Sequence, residues 1–548
     1  MKLLAAVMLL AATPAAAQRA APPPTRPKLI VAISVDQFAA DLFAQYRNHF
    51  TRGFARLLTG AVFPSAYQSH AATETCPGHS TILTGMRPAR TGIVANTWVD
   101  QRVGRTDKLV YCAEDETASG STHNSYTVSD KHLRVPTLGE MMKAANPATR
   151  VVAVAGKDRA AVMMGGHRVD ELWWWNGKRF ASYPGRAEPA VLARANAAVA
   201  AQIAAPQDAL ALPGYCAPLD RPITTGGITL GQGRFARAGG DATAWRASPA
   251  ADAAVFAVAA GLIQDMKLGR GTATDLIAIG ASATDYVAHS LGTQGTEMCI
   301  QLDQLDRTLG AFLDTLDGFG IDYEVMLTAD HGGHDTADRQ RERAMPMEAR
   351  VPVELKADAM DAAIAKALGL PGPVLVSAES KAGADNDLYL AAGLSARDRA
   401  RVTAEALRQY ARAPAVQAIY TRAQIAATPL ATTPPETWTL LERARASYDP
   451  ERSGDLLVLF KPRVTAIATL TATYVETHGS PWDYDRRVPL LFWRKGMTGF
   501  EQPLSVETVD IAPTLAATIG LPVKGLDGRC LDLDPGPGDG CIASSSRP

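Results

Sequence analysis

The chain has 548 residues, enough for several average domains or for one large α/β domain carrying insertions. Its 55 Lys+Arg stand against 56 Asp+Glu, a formal net charge of −1, which excludes the concentrated cationic surface of a nucleic-acid wrapper or a polybasic membrane binder. With 47% apolar and 20% charged residues the composition is that of an ordinary globular protein, which excludes whole-chain disorder and a collagen-like or coiled-coil rod.

In chain order, the first segment reads as an export signal. Lys2 is the charged start, Leu3 to Ala12 the apolar stretch, and Ala15-Ala16-Ala17 the small-residue cleavage site. This predicts a signal peptide over 1–17, a Pro-rich tether over 18–27, and a mature chain over 28–548. No later run approaches the roughly 18 apolar residues a spanning helix needs, so the expectation is a periplasmic or secreted protein with no stable membrane anchor. In that compartment the six cysteines, Cys76, Cys112, Cys216, Cys299, Cys530 and Cys541, can pair. The sequence leaves the connectivity open, with Cys530–Cys541 the most local choice.

Short β-branched, apolar runs follow at Leu29–Val35, Arg150–Ala155, Leu276–Ile279, Tyr323–Leu327, Leu456–Phe460 and Pro489–Trp493. Long segments separate most of them, the pattern of a mainly parallel sheet with helical crossovers. After His289, the helical recurrence of Leu302, Leu305, Leu309, Phe312 and Leu316 predicts an amphipathic helix. A second helix is predicted over Ser395–Tyr410, flanked by strands at Leu388–Leu390 and Val416–Tyr420. Asn176-Gly177 beside Trp173-Trp174-Trp175 marks a hairpin. The whole reads as one α/β catalytic domain with cap-like insertions at about 97–150, 160–273 and 345–449.

The sharpest signal is where acids and histidines fall. Asp36 directly follows the first strand. Asp285 and His289 form Asp-x-x-x-His after another, sharing one face if that segment is helical. Asp330-His331 ends the strand at Tyr323–Leu327 and precedes Gly332-Gly333. His478 sits in Thr477-His478-Gly479-Ser480. Open α/β sheets place ligands beyond the carboxyl ends of their strands. One Asp at a strand end is commonly only a cap or turn former, but three carboxylates and three imidazoles together supply two mixed N/O sets of the composition that suits catalytic Zn²⁺. Between them, the hydroxyl cluster Ala72-Thr73-Glu74-Thr75-Cys76-Pro77-Gly78-His79-Ser80-Thr81 predicts a turn at Pro77-Gly78 into a helix whose N-terminus can face an anion.

These residues resemble, in content and order, the alkaline phosphatase superfamily. Asp36, the Thr-Cys-Pro-Gly-His segment, Gly92-Ile93-Val94-Ala95-Asn96, Asp285 with His289, Asp330-His331-Gly332-Gly333 and His478 are similar to its nucleotide pyrophosphatase/phosphodiesterase branch, and within it to the PafA-type bacterial alkaline phosphatases with a threonine nucleophile. The resemblance runs from about Leu29 to Gly525. It implies an alkaline-phosphatase-like three-layer sandwich around a mainly parallel central sheet. It also implies Thr75 as nucleophile, Asn96 as a phosphoryl contact, and two Zn²⁺ per chain. Asp36, Asp330 and His331 would hold one ion, and Asp285, His289 and His478 the other.

Gly156-Lys157-Asp158-Arg159 resembles the Lys-x-Arg pair of the monoesterase members, and in an extended stretch both cations would project to one side and reach one phosphate. Two Zn²⁺ and these two cations, set against three aspartates and a threonine alkoxide, leave an excess that a monoester dianion neutralises. The implied reaction is in-line attack by Thr75, a phosphothreonine, and its hydrolysis, with retention at phosphorus and an alkaline optimum. The expected substrates are small phosphate monoesters, with diesters as a second class, and no nucleic acid is a specific partner. The alternatives are a nucleotide phosphodiesterase with monoesterase side activity and a non-catalytic phosphate or zinc scavenger. A sulfatase is excluded, because Thr75 cannot become formylglycine. A monomer is the default. His334 reads as a surface-loop residue, His79 as an orienting or packing group, and Trp173–Trp175 as packing. A Cys76–Cys112 pairing would anchor the 97–150 segment over the site.

Overall fold

The computed structural model describes residues 26–231, 233–378, 386–536 and 540–541. The predicted export signal and most of the tether lie outside them. Within the described residues the largest sheet has ten strands. From one edge the order is Phe500–Glu501, Ala61–Tyr67, Arg487–Arg494, Tyr323–Thr328, Leu29–Val35, Asp275–Ala281, Val151–Ala155, Glu171–Trp175 and Phe180–Ala181, with Val506–Glu507 also on Ala61–Tyr67. The centre is parallel: Leu29–Val35 pairs in parallel with both Asp275–Ala281 and Tyr323–Thr328, and Val151–Ala155 pairs in parallel with Asp275–Ala281 and Glu171–Trp175. The Pro489–Trp493 run lies in Arg487–Arg494, which is antiparallel to both of its neighbours.

The three central strands are buried along their whole length, as continuous apolar runs covered on both faces must be. One cover is the predicted amphipathic helix, which forms over Thr296–Gly318 and buries Leu302, Leu305, Leu309, Phe312 and Leu316. The Asn176-Gly177 hairpin also forms, pairing Trp174 and Trp175 with Ala181 and Phe180.

One run goes elsewhere. Leu456–Phe460 joins a separate antiparallel sheet of order Leu375–Ser377, Asp387–Leu390, Leu456–Phe460, Val416–Thr421, with its own apolar cluster under the helices Ala357–Leu368 and Ala396–Tyr410. The smaller sheet therefore extends past residue 449. A buried apolar pentapeptide carries no label for which sheet it joins. Three disulfides close, Cys76–Cys112, Cys216–Cys299 and Cys530–Cys541. No helix among the described residues is long and apolar enough to cross a membrane.

All the parallel central strands point their carboxyl ends the same way. Asp36, Lys157, Asp285 and Asp330 each follow within a few residues of such an end, so the sheet delivers them to one rim.

Candidate active site

At that rim the structure gathers the acids and imidazoles into two sets. Asp36, Asp330 and His331 place ligand-type atoms within 4.8 Å of one another, and so do Asp285, His289 and His478. The second set forms because the segment after Ala281 is the helix Ala283–Leu291, which stacks Asp285 under His289 one turn apart. In the first set, His331 Nε2 is 3.5 Å from Asp36 Oδ1 and 3.3 Å from Asp330 Oδ2. In the second, the Nε2 atoms of His289 and His478 are each 3.4 Å from Asp285 Oδ1. The sets adjoin, for the rings of His331 and His478 stack with centroids 3.6 Å apart.

The donor chemistry fits metal ions. Each imidazole donates its Nδ1–H to a backbone carbonyl: His331 to Gly332, His289 to Glu476 and His478 to Thr73, at 2.8–2.9 Å. A carbonyl can only accept, so in the neutral ring the Nε2 lone pair faces inward. Asp36 Oδ1, Asp285 Oδ1 and His331 Nε2 are buried without a hydrogen-bond partner. Burial carries His331 down to about 3, keeping it neutral, while the neighbouring Asp285 carboxylate outweighs burial and lifts His478 to about 9, so this ring would give up a proton for its Nε2 to hold a metal. Three buried carboxylates meet one buried ammonium: Lys157 Nζ lies 2.6 Å from Asp36 Oδ2 and 2.5 Å from Asp285 Oδ2. That uncompensated negative charge calls for further cations.

Thr75 opens the helix Thr75–Ile82, capped by extended Glu74, so the helix starts two residues before the expected Pro77-Gly78 turn. Gly78 lets the helix press onto the first set, since a Cβ there would lie 2.0 Å from Asp330 O. His79, one turn on, donates Nδ1–H to Thr75 O at 2.9 Å and lies 3.1 Å from Asp330 Oδ2. The Thr75 segment thus touches both sets, Asp330 through His79 and His478 through Thr73.

Asn96 stands opposite. Its Oδ1 accepts the Cys76 N–H at 2.8 Å and its own N–H donates to Glu74 Oε2 at 2.7 Å. With its oxygen engaged, the carboxamide presents its NH₂ as donor. Lys157 is extended, but Asp158 begins a helix, Asp158–Gly165, so Arg159 lies in a first helical turn and not in the extended stretch expected for a Lys-x-Arg pair. Arg159 NH2 still reaches to 3.4 Å from Thr75 Oγ1, while the Lys157 ammonium sits on the two carboxylates.

Sequence reasoning missed several supports. Glu74 anchors Asn96. Tyr111 and Tyr126 donate their hydroxyls to Asp158 at 2.7 and 2.8 Å, and Arg159 NH1 is 3.4 Å from Tyr111 Oη. Gln37, in the left-handed region at φ 61°, donates its N–H to Asp330 Oδ1 and its side-chain Nε2–H to Glu476. Position after a strand signalled Gln37, and adjacency to Thr75 signalled Glu74. Nothing local signalled the tyrosines. His334, expected on a surface loop, is buried, its Nε2 3.0 Å from Thr465 Oγ1, because the 331–336 segment folds under the small sheet's connections. Trp173–Trp175 pack in the core, Trp175 against Trp245 with ring centroids 4.7 Å apart.

The family model of type I phosphodiesterase/nucleotide pyrophosphatase matches residues 30–481. Alkaline phosphatase PhoK of a Sphingomonas species is 57% identical over 522 residues, 94% of this chain and 93% of that protein. Alkaline phosphatase PhoD of Zymomonas mobilis is 45% identical over 516 residues, 93% of this chain and 88% of that one. In fold, the chain is similar to the crystal structure of alkaline phosphatase PafA, with a TM-score of 0.79 at 24% identity, covering 94% of this chain and 99% of that one.

Proposed function

We propose that this chain, which belongs to the type I phosphodiesterase/nucleotide pyrophosphatase family, is an alkaline phosphatase that hydrolyses small phosphate monoesters through a phosphothreonine on Thr75. The observation that carries the reading is the convergence on Thr75. Its hydroxyl opens a helix, Arg159 stands 3.4 Å away, Asn96 is oriented by the next N–H, and both acid–imidazole sets touch the same segment.

Asp36, Asp330 and His331 would hold one Zn²⁺ and Asp285, His289 and His478 the other. Three N/O donors leave each ion open to oxygen ligands, as catalytic zinc requires. When bound, such ions supply Lewis-acid stabilisation of charged oxygens and lower the pKa of a nearby hydroxyl. The chain's own residues do the rest. The helix N-terminus and the Arg159 guanidinium favour the anionic phosphoryl group at Thr75. The Asn96 NH₂ donates to a phosphoryl oxygen and fixes its orientation. Thr75 gives up its hydroxyl proton to solvent and its Oγ1 attacks phosphorus in line. The P–O bond to the alcohol breaks and the leaving oxygen takes a proton from water. A second water then adds to phosphorus, the Thr75 Oγ1–P bond breaks, and phosphate is released with the threonine hydroxyl reprotonated. The Arg159 guanidinium beside Thr75 supports a dianionic monoester over a diester, whose second ester group would crowd it. Lys157, the other half of the pair that the family resemblance implies as a clamp, is engaged by Asp36 and Asp285. The three disulfides support an exported location, with the export signal at 1–17, and the three insertions at about 97–150, 160–273 and 345–449 are inferred to cap a single catalytic unit acting as a monomer.

The test compares p-nitrophenyl phosphate with bis-p-nitrophenyl phosphate at alkaline pH, with chelator and added Zn²⁺, for wild type and Thr75→Ala. Zinc-restored monoester turnover lost in Thr75→Ala is expected. A diester preference would place the enzyme with the phosphodiesterases, and no turnover despite bound zinc would leave a scavenger.

A further inference from the structure

The segment between the nucleophile helix and the strand Val151–Ala155 is built around a small hairpin, Thr97–Val99 against Leu109–Tyr111, with Thr97 paired to Tyr111. One step beyond that pair Asn96 and Cys112 face each other, and the Cys112 N–H donates to Asn96 O at 2.9 Å. Cys112 is also bonded to Cys76, the residue after Thr75, closing a span of 36 residues. Both cysteines are fully buried. The hairpin base is therefore fastened to the first turn of the nucleophile helix by one covalent link and two hydrogen bonds, Cys76 N–H to Asn96 Oδ1 and Asn96 N–H to Glu74 Oε2. At the end of the other strand, buried Tyr111 donates to Asp158 and stands 3.4 Å from Arg159 NH1. Both groups that converge on Thr75 to meet a phosphoryl oxygen are thus held from one hairpin, Asn96 at the base of its first strand and Arg159 through the last residue of its second.

We propose that the Cys76–Cys112 disulfide and Tyr111 are positioning residues that fix Asn96 and Arg159 against Thr75, so that the hairpin acts as a preformed cradle for the phosphoryl group. This rests on the phosphatase reading above. The physical reason is entropic and geometric. Two partly buried hydrogen bonds contribute about 1 kcal/mol each and open on thermal motion, whereas a covalent tie one residue from the nucleophile removes the motion that would let Asn96 drift. Misplacement of about 1 Å is enough to cost roughly a hundredfold in rate. Tyr111 acts on Arg159 in the same sense: its hydroxyl holds Asp158 at the start of the helix and lies beside the guanidinium.

The experiment is a pair of double-mutant cycles, read as kcat, KM and the affinity for inorganic phosphate measured by calorimetry. Cys76→Ala with Cys112→Ala is expected to lower kcat/KM for p-nitrophenyl phosphate about 10- to 100-fold and to weaken phosphate binding. In an Asn96→Ala background the same change is expected to cost less than about twofold. Tyr111→Phe, which keeps the ring in the core, is expected to cost about tenfold, and to cost nothing further with Arg159→Ala. Cys530→Ala with Cys541→Ala, a disulfide remote from the hairpin, should leave kcat/KM unchanged. Equal losses with and without Asn96, or an undiminished Tyr111→Phe enzyme, would overturn the positioning role. If the cysteine variant does not fold, the Tyr111 cycle decides alone. Failure of the phosphatase reading is distinct: wild type itself would then show no monoester turnover.

Discussion

Lys157 Nζ lies 2.5 Å from Asp285 Oδ2 and, at 2.6 Å from Asp36 Oδ2, ties the two acid–imidazole sets together. Burial alone would discharge this lysine, yet the two carboxylates outweigh it and raise its pKa, so the ammonium stays charged in the alkaline range. The same contacts hold Asp285 well below the usual carboxylate range: burial would raise it, but Lys157 and His289 prevail.

Lys157→Met should therefore do more than remove the phosphate contact that the family resemblance implies. It strips the only ammonium among the described residues that touches Asp36 and Asp285, and leaving buried charge unpaired costs about 3–5 kcal/mol. The metal-free protein is expected to melt at lower temperature than metal-free wild type, with the gap narrowing when Zn²⁺ is added. Equal melting of the two metal-free proteins in a calorimetric scan would show that Lys157 carries no such load.

Arg159→Ala should lower monoester kcat/KM by about 10- to 100-fold, the equivalent of one charge-assisted contact. Diester turnover should fall less, because a diester presents one negative charge. Parallel losses on the two p-nitrophenyl substrates would remove the cation from substrate discrimination.

Metal analysis separates the two sets. Wild type is expected to carry two Zn²⁺ per chain, and prolonged dialysis against chelator should abolish activity and lower the melting temperature, with recovery on adding zinc. Asp285→Asn with His289→Ala should bind one. Two ions retained in that variant, by elemental analysis or native mass spectrometry, would show that those residues are not ligands.

Gly78→Ala tests the contact that seats the nucleophile helix. A Cβ there would fall 2.0 Å from the Asp330 carbonyl, and backbone on both sides cannot move aside cheaply. The expected result is a loss of about 1–3 kcal/mol and a drop in activity, read by thermal denaturation and turnover of the same preparation.

A pH effect on stability is expected far from the metal sets. His167 donates to Glu140 at 3.2 Å and to Leu133 O at 2.9 Å, and the bond to Glu140 outweighs burial and raises it to about 9. The folded pKa lies above the ordinary value near 6.5, so the pair stabilises fully below about pH 6.5 and the contribution is lost as pH rises through 9. With the imidazole partly exposed, solvent screening limits it to about 1 kcal/mol or less. His167→Gln should lower the melting temperature at pH 6 and leave it unchanged near pH 10.

Much of this was legible in the chain itself. Mostly apolar runs such as Leu29–Val35 and Tyr323–Thr328 announce buried strands because a sheet covered on both faces hides every position along a strand, seven in the first and six in the second. A parallel sheet then fixes where Asp36 and Asp330 must emerge, and Asp-x-x-x-His needs only helical periodicity to bring Asp285 beneath His289. The motif order carried the family resemblance, and with it the proposed roles of Thr75, Asn96 and the six acids and imidazoles, because such sites are built from short segments at strand ends.

Contacts between segments far apart in sequence were not legible. No local pattern says that the Leu456–Phe460 run joins the small sheet, that His334 is buried against Thr465, or that Glu74 holds Asn96. Nor does any pattern say that Tyr111 braces Arg159, and the Cys76–Cys112 pairing, raised from the sequence as one of several open connectivities, was selected only by the fold. Periodicity and propensity act over a few residues and determine which elements form and which ends carry chemistry. Which side chains meet, and hence which proton, charge or ring each one faces, was decided by the tertiary packing that brings those elements within hydrogen-bonding distance.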